Sequence, residues 1–485
     1  MFYTFYFVLP GPLMQYEYAA AARDGEYDLK TPDPWNPGSN SRLFYQTRQR
    51  RPLLERAEGV YLWDRTGKRY LDGCSGAMVS NIGHSNPRVL QAMHQQLDRS
   101  AFGYRLHFEN EPAERLAALI ADLSPPGHEK VFFVSGGSEA VESCLKLARQ
   151  YAFATGEHKR WRVISRSPSY HGSTLGALAV TGYQPLTEPF LPMMRQMPKI
   201  PSPRCYLDQD SLTDAERGIR YAEMLRNKII ELGPETILAF IMEPVGGAST
   251  GALVAPDSYY PRIREICDEF SVLLIYDEVM SGAGRTGRYL AAEHWGIKPD
   301  IIALAKGLAA GYAPLGAMLA DSRIIDPVLD SGGFQHGFTY AGNPLSCAAG
   351  LAVTREILER DLMTQTSATG ELLRRELNGL MSDYPFIGDV RGKGLLLAFE
   401  LVENRDTMKP LPASHNAYAR LVEHAYERGL IIYSRRTRDG IEGDHFMICP
   451  PMISTREHIT EIMDKLRLSL DALAQELPLP LGRAF

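Results

Sequence analysis

Val272-Leu273-Leu274-Ile275-Tyr276-Asp277-Glu278-Val279 sets an unbroken apolar run directly before two carboxylates. Such a run, without polar alternation, reads as a strand buried on both faces. Working outward, the theme recurs, and strands are predicted at Lys130–Val134, Arg162–Ser165, Ile237–Met242, Val272–Tyr276, Ile301–Leu304 and Gly316–Leu319. Helices are predicted between them at Ser138–Thr155, Ala215–Leu232 and Asp257–Phe270. In the first, Val141, Cys144, Leu145, Ala148 and Tyr151 return at three-and-four spacing. Strands alternating with helices imply βαβ units and a mostly parallel central sheet covered on both sides, an α/β fold. Ligands of such sheets bind at the carboxyl ends of the strands.

The flanks read differently. Beyond Pro344 the pattern is α+β, with helices at Pro344–Asp361, 365–383, 417–428 and Arg456–Ala474. Strands are predicted there at Gly394–Val402, Leu430–Tyr433 and Phe446–Cys449. Upstream, Val60 to Leu71 around an Asp64-Arg65-Thr66-Gly67 turn reads as a hairpin. Residues 22–41, rich in Pro, Asp and Gly, read as an extended arm. Met1–Met14 is apolar but has no Lys or Arg before the run and is broken by Pro10 and Pro12, which disfavours a signal peptide or membrane span. It reads as an extension, or as a start placed ahead of Met14. The expected organisation is an arm (1–41), the N-terminal part of a small domain (42–85), a large domain (86–343) and the C-terminal small domain (344–485).

Composition narrows the function. The 485 residues are 45% hydrophobic and 23% charged, as in a globular protein, and 52 Lys and Arg against 58 Asp and Glu leave a net charge of −6. That balance excludes a basic nucleic-acid face as the leading idea. The apolar stretch Ile301–Ala320 contains Lys306, Pro314 and three glycines, so it is not read as a membrane helix. Six scattered cysteines form no Cys-x-x-Cys pair and none sits in register with a His, so no metal site is expected. Their scatter suits a reducing, cytoplasmic compartment.

Three clusters carry chemistry. Phe132-Phe133-Val134-Ser135-Gly136-Gly137-Ser138 ends a strand, turns on two glycines and opens a helix. The unpaired N–H groups of a helix start stabilise an anion, and glycine removes the Cβ that would obstruct a phosphate. The alternative is an ordinary strand–helix turn with a Ser cap. Asp277 and Glu278 follow a buried strand but point to opposite sides, so at most one belongs to a site; otherwise they cap the next loop. Lys306 ends the apolar strand Ile301–Leu304. It either reaches solvent or, desolvated, becomes a nucleophile for Schiff-base chemistry. A phosphate cup, an acid and a lysine at strand ends of one sheet match the needs of pyridoxal phosphate. Tyr170, in Tyr170-His171-Gly172, offers an aromatic to stack on its ring.

With LDGCSGAMVSNIGHSNP, FFVSGGSEAVESCLKLARQY, YHGST, MEPVGG, IYDEVMSGAGRTG, ALAKGLAAGYAPLGA, FTYAGNPLSCAA and GDHFMICPPMI in order, the chain from about Leu43 to Leu468 resembles the class III pyridoxal-phosphate-dependent aminotransferases of the ω-aminotransferase type. The resemblance implies fold type I and a transaminase moving an amino group from an amine or ω-amino acid to a keto acid such as pyruvate, through an aldimine on Lys306. It makes Lys306, Asp277 and Tyr170 catalytic, with Asp277 on the ring nitrogen and Val279 and Tyr170 against the ring faces. Gly137 and Ser138 would bind phosphate, Glu243 would be an acid near the site, and Thr339 would reach the neighbouring subunit's phosphate, implying a homodimer with shared sites.

Departures from the family pattern bear on the substrate. Met280 stands where many members have Gln, Ser173 follows Tyr170-His171-Gly172 where ornithine-type members have Arg, and Arg42-Leu43-Phe44-Tyr45 replaces the Trp-His-Pro of biotin-pathway members. Arg435, Arg436 and Arg438 either clamp a substrate carboxylate or form a solvated loop, and Phe44, Tyr45 and Tyr104 either line an amine pocket or belong to the core. Another fold type I activity (decarboxylase, aminomutase or lyase) would use the same lysine and acid. Gly282-Ala283-Gly284-Arg285-Thr286-Gly287 satisfies the dinucleotide fingerprint, but a nicotinamide enzyme would need it at the strand end, opening a helix.

Overall fold

The computed structural model describes residues 42–477. The chain divides into two units, Met1–Arg51 and Pro52–Phe485. The described part of the first is irregular and exposed, with the Arg50 guanidinium 4.0 Å over the Tyr45 ring.

The second unit opens with an antiparallel meander, β1 (Leu54–Glu58), β2 (Tyr61–Asp64) and β3 (Arg69–Asp72). The expected hairpin is its β2–β3 half, turning where Asp64 accepts from the backbone N–H of Thr66 and Lys68.

The central sheet has seven strands, β4 (Lys130–Val134), β5 (Arg162–Ser167), β6 (Lys199–Pro201), β7 (Ile237–Met242), β8 (Leu273–Asp277), β9 (Ile301–Leu304) and β10 (Gly316–Ala320), in the order β4-β10-β9-β8-β7-β5-β6. Only β10 runs against its neighbours, so the sheet is mostly parallel as expected. Every residue of β7, β8, β9 and β10 is buried, which is why these strands show no alternation. Their two faces feed separate cores. Phe240, Leu274, Tyr276 and Ile302 pack with the helices Asp214–Leu232 and Tyr259–Glu269. Ile241, Ile275, Ala303 and Met318 pack with the helices Gly137–Ala154 and Ser322–Asp330.

The C-terminal sheet is antiparallel: β11 (Ile387–Lys393), β12 (Leu396–Asn404) with β13 (Lys409–Pro410) on its flank, β15 (Tyr433–Arg438) and β16 (Glu442–Ile448), in the order β11-β12-β16-β15. The strand expected at Leu430–Tyr433 is instead two. β14 (Leu430–Ile431) pairs in parallel with β3, while β15 pairs with β16. The charged run Tyr433-Ser434-Arg435-Arg436-Thr437-Arg438 conceals β15, because Arg436 and Arg438 are neutralised across the sheet rather than alternating with apolar residues. Among the described residues, no helix is long and apolar enough to cross a membrane, and no group of side chains is arranged to hold a metal.

Candidate active site

The carboxyl ends of β4, β5, β7, β8 and β9 converge on one region. After β4, the helix Gly137–Ala154 starts with Gly136 as its N-cap, so glycines rather than Ser138 occupy the turn. The Ser138 hydroxyl does not cap; it accepts from the Ser173 N–H at 3.0 Å. No described residue accepts a hydrogen bond from the N–H groups of Gly137, Ser138 or Glu139, which leaves the positive end of this helix open. A Cβ on Gly137 would lie 2.8 Å from Val279 Cγ1, so glycine is what admits Val279.

Asp277 ends β8 on the Ile275 face, 5% exposed. One of its oxygens accepts from the Val279 N–H at 3.0 Å and the other bonds His171 Nδ1 at 2.8 Å. Glu278 turns to the opposite side, as alternation requires. There it accepts from Ser281 Oγ (2.6 Å) and from the Ala291 and Ala292 N–H groups (3.0 and 2.8 Å), so it is a loop anchor outside the site. Burial pushes its carboxyl pKa up to about 7.

Glu243 follows β7 beside Asp277 on the next strand, since Met242 pairs with Tyr276. Its Oε1 accepts from the Gly247 N–H at 3.0 Å, and Arg166 from β5 donates to its carbonyl at 2.6 Å. Loss of hydration raises the Glu243 pKa, while His171 and Arg166 pull it back.

Lys306 lies two residues past β9, half-buried, in the left-handed region at φ +46°. A non-glycine residue held there is strained unless its surroundings over-determine it. The turn around it is held by the Leu308 N–H on Ala305 O at 2.9 Å and the Ala310 N–H on Lys306 O at 3.0 Å, and the next residue packs tightly on Asn81: a Cβ at Gly307 would sit 2.1 Å from Asn81 Nδ2. Asn81 is itself locked, donating to Ala283 O at 2.9 Å and accepting from Arg285 at 2.7 Å. Arg285, 0% exposed, also donates to Pro450 O at 2.6 Å and Ser75 Oγ at 3.0 Å. The Lys306 amine has no hydrogen bond or ion pair with a described residue. Burial lowers its pKa, against the opposing pull of Asp277 and Glu243.

The other expected residues separate. Tyr170 is half-buried at the mouth, its hydroxyl 2.9 Å from Ser173 Oγ. Thr339 is exposed, on the loop beside Tyr340. Arg436 pairs with Asp444 at 2.9 Å and Arg438 lies 3.6 Å from Glu400. Arg435 is exposed over the Tyr433 ring, with no carboxylate in ion-pair range among the described residues. Phe44 and Tyr45 belong to the first unit. Gly282–Gly287 forms successive turns and opens no helix, so the dinucleotide geometry is absent. Sequence reasoning assigns no role to His171, Asn81 or Arg285, although all three lie in quoted motifs; their signal is a polar residue inside an otherwise apolar or glycine-rich stretch.

A family model described as aminotransferase class-III matches residues 45–470. The chain is similar to the putrescine–pyruvate aminotransferase of Pseudomonas aeruginosa, 35% identical over 425 residues that cover 87% of this chain and 91% of that protein. Among solved structures it resembles an (S)-enantioselective ω-transaminase from Thermomicrobium roseum, with a TM-score of 0.85, 34% identity, and coverage of 90% of this chain and 97% of that one. It also resembles the ω-transaminase from Pseudomonas jessenii in complex with PMP, with a TM-score of 0.83, 31% identity, and 90% and 97% coverage.

Proposed function

The chain belongs to the class-III aminotransferase family, and from that premise we propose that it is a pyridoxal 5'-phosphate-dependent transaminase of the ω type, taking an amino group from an amine or ω-amino acid and passing it to a keto acid such as pyruvate. The observation that carries this reading is the unpaired, desolvated amine of Lys306 at the end of β9, next to the buried carboxylate of Asp277 on adjacent β8. The residues fit the cofactor. The open helix start at Gly137 and Ser138 would hold its phosphate, Asp277 its ring nitrogen, and Val279 and Tyr170 its ring faces. When bound, pyridoxal phosphate supplies an aldehyde that condenses with amines and a protonated ring that draws electron density from the bond being broken.

The protein's own groups do the rest. Burial lowers the Lys306 pKa and so favours the neutral amine, whose Nζ would take a proton from the donor carbon and pass it to the cofactor side. Asp277, oriented by His171 and the Val279 N–H, would face the ring nitrogen and hold its proton. Arg435, free of internal carboxylates, receives the carboxylate of an acid substrate. A homodimer completes the site through Thr339, supported by the exposed Leu97, Phe102, Leu106, Phe108 and Tyr340. The division into a large domain (86–343) flanked by small-domain segments (42–85 and 344–485) belongs to the same reading, supported by the β3–β14 pairing. A cytoplasmic setting is supported by six unpaired cysteines.

Putrescine with pyruvate is the first pair to assay, followed by a panel of amines and ω-amino acids scored for alanine. Carbon dioxide release without alanine would favour a decarboxylase instead. Lys306→Ala is expected to lose turnover and the borohydride-fixable attachment of pyridoxal phosphate; a variant that keeps turnover overturns the assignment.

A further inference from the structure

A second buried charge cluster lies away from Lys306. Arg391 on β11 donates to Glu400 Oε2 at 2.8 Å, to Asp389 at 2.7 Å and to the Thr250 carbonyl at 3.1 Å, and its guanidinium stands 4.3 Å over the Tyr206 ring. Tyr206 donates to the same Glu400 oxygen at 2.9 Å. Glu400 is fully buried. Burying such a pair costs so much desolvation that well-packed apolar residues are often as stabilising, so stability alone does not explain it.

Its connections do. Across the sheet, Glu400 on β12 faces His445 on β16, and His445 faces Arg435 on β15. The row runs from the buried carboxylate to the exposed arginine. His445 is fully buried with neither ring nitrogen hydrogen-bonded, so it passes position along the row by packing. Gly251, at φ +62°, is pressed onto the same cluster: a Cβ there would lie 2.7 Å from Arg391 and 2.8 Å from His445. The loop ending at Gly251 begins at Gly247, whose N–H holds Glu243.

We propose that Arg391 and Glu400 are positioning residues for the acid-binding end of the substrate pocket, their ion pair fixing the β15–β16 hairpin that carries Arg435, to which Glu400 is also tied by Arg438 at 3.6 Å. This rests on the transaminase reading above. Arg391 touches no substrate; it acts through Arg435.

The test compares two amino acceptors on the cofactor-loaded enzyme, pyruvate and a carboxylate-free aldehyde. In the Arg391→Met/Glu400→Met double variant, the KM for pyruvate should rise about tenfold while kcat stays within about twofold, and the KM for the aldehyde should hold. Arg435→Leu should raise the pyruvate KM alone, and adding it to the double variant should give less than the product of the two effects. Should the double variant fail to fold, Arg391→Lys keeps the charge but loses the forked contact to Asp389 and Glu400, and should show the same selective KM rise in smaller measure. Equal losses with both acceptors, an unchanged pyruvate KM, or fully multiplicative effects with Arg435→Leu would each overturn the inference. A wild-type enzyme that forms no alanine from any donor would sink the transaminase reading instead, which keeps the two failures apart.

Discussion

Gly136 and Gly137 are neighbours in sequence, yet alanine should act differently at each. At Gly137 the new methyl would stand 2.8 Å from Val279 Cγ1 and 3.3 Å from Cγ2. Carbon atoms settle at about 3.5–4.0 Å, and β-branched Val279 has little rotamer freedom with which to retreat. Overpacking of this kind costs about 1–3 kcal/mol, and at the first helical position replacing glycine recovers little of it. At Gly136 nothing lies within 4 Å of the added carbon and the backbone is extended at φ −177°, so the apoprotein should change by less than about 0.5 kcal/mol. Thermal unfolding of the two apoproteins measures this contrast. Titration with pyridoxal phosphate, followed by absorbance, then asks what Val279 contributes. Gly137→Ala displaces Val279 from the ring face and should weaken binding as well, a loss separate from the stability change because a penalty shared by both forms cancels in the dissociation constant. Weaker binding in Gly136→Ala with unchanged apoprotein stability would place the phosphate in the open space beside that glycine. A Gly137→Ala protein indistinguishable from wild type in both assays would refute the packing argument.

Other expectations follow from the same geometry. Asp277→Asn should retain cofactor absorbance but lose most of its turnover, and near-normal rates would remove Asp277 from its role. Glu278, with its folded pKa raised to about 7 from the ordinary 4.5, binds its proton more tightly in the folded state. Its contribution is therefore present below about pH 4.5 and lost as the pH climbs to 7, by roughly 3 kcal/mol. The Glu278→Gln protein should show a flatter stability–pH curve than wild type across that range in parallel melts. Arg285→Met strips donors from the Pro450 carbonyl, Ser75 and Asn81, and should cost about 3 kcal/mol or more by thermal unfolding, with no rescue by Arg285→Lys, whose single ammonium cannot span three partners.

The parts of the molecule that can be read in the sequence are those where burial is uniform. The β7, β8 and β9 runs are apolar because both faces are covered, and the boundaries predicted for Ile237–Met242 and Ile301–Leu304 coincide with those observed. Strand alternation likewise suffices to send Asp277 and Glu278 to opposite sides of the sheet. Chemistry between distant segments is hidden. Nothing near Arg285 announces that its acceptors are Ser75, Asn81 and Pro450, and nothing near Arg436 announces Asp444 across a hairpin. β11 leaves no strand signal because Ile387-Gly388-Asp389-Val390-Arg391-Gly392-Lys393 mixes glycines and charges that are satisfied only through tertiary pairing. Arg391, which pairs with the Glu400 that faces His445 across the sheet, lies inside that strand.

The guanidinium of Arg285 draws its acceptors from near residues 75, 81 and 450, almost the whole span of the second unit. A nascent chain still short of Pro450 therefore cannot complete that shell, and Arg285, which donates to the Asn81 packed on Gly307, is left short of an acceptor. The surroundings of the reactive amine are complete only once Pro450 has been made and has folded back onto Arg285. An unfinished polypeptide would carry the lysine without the pocket that makes it selective, and its amine would meet aldehydes as any other lysine does.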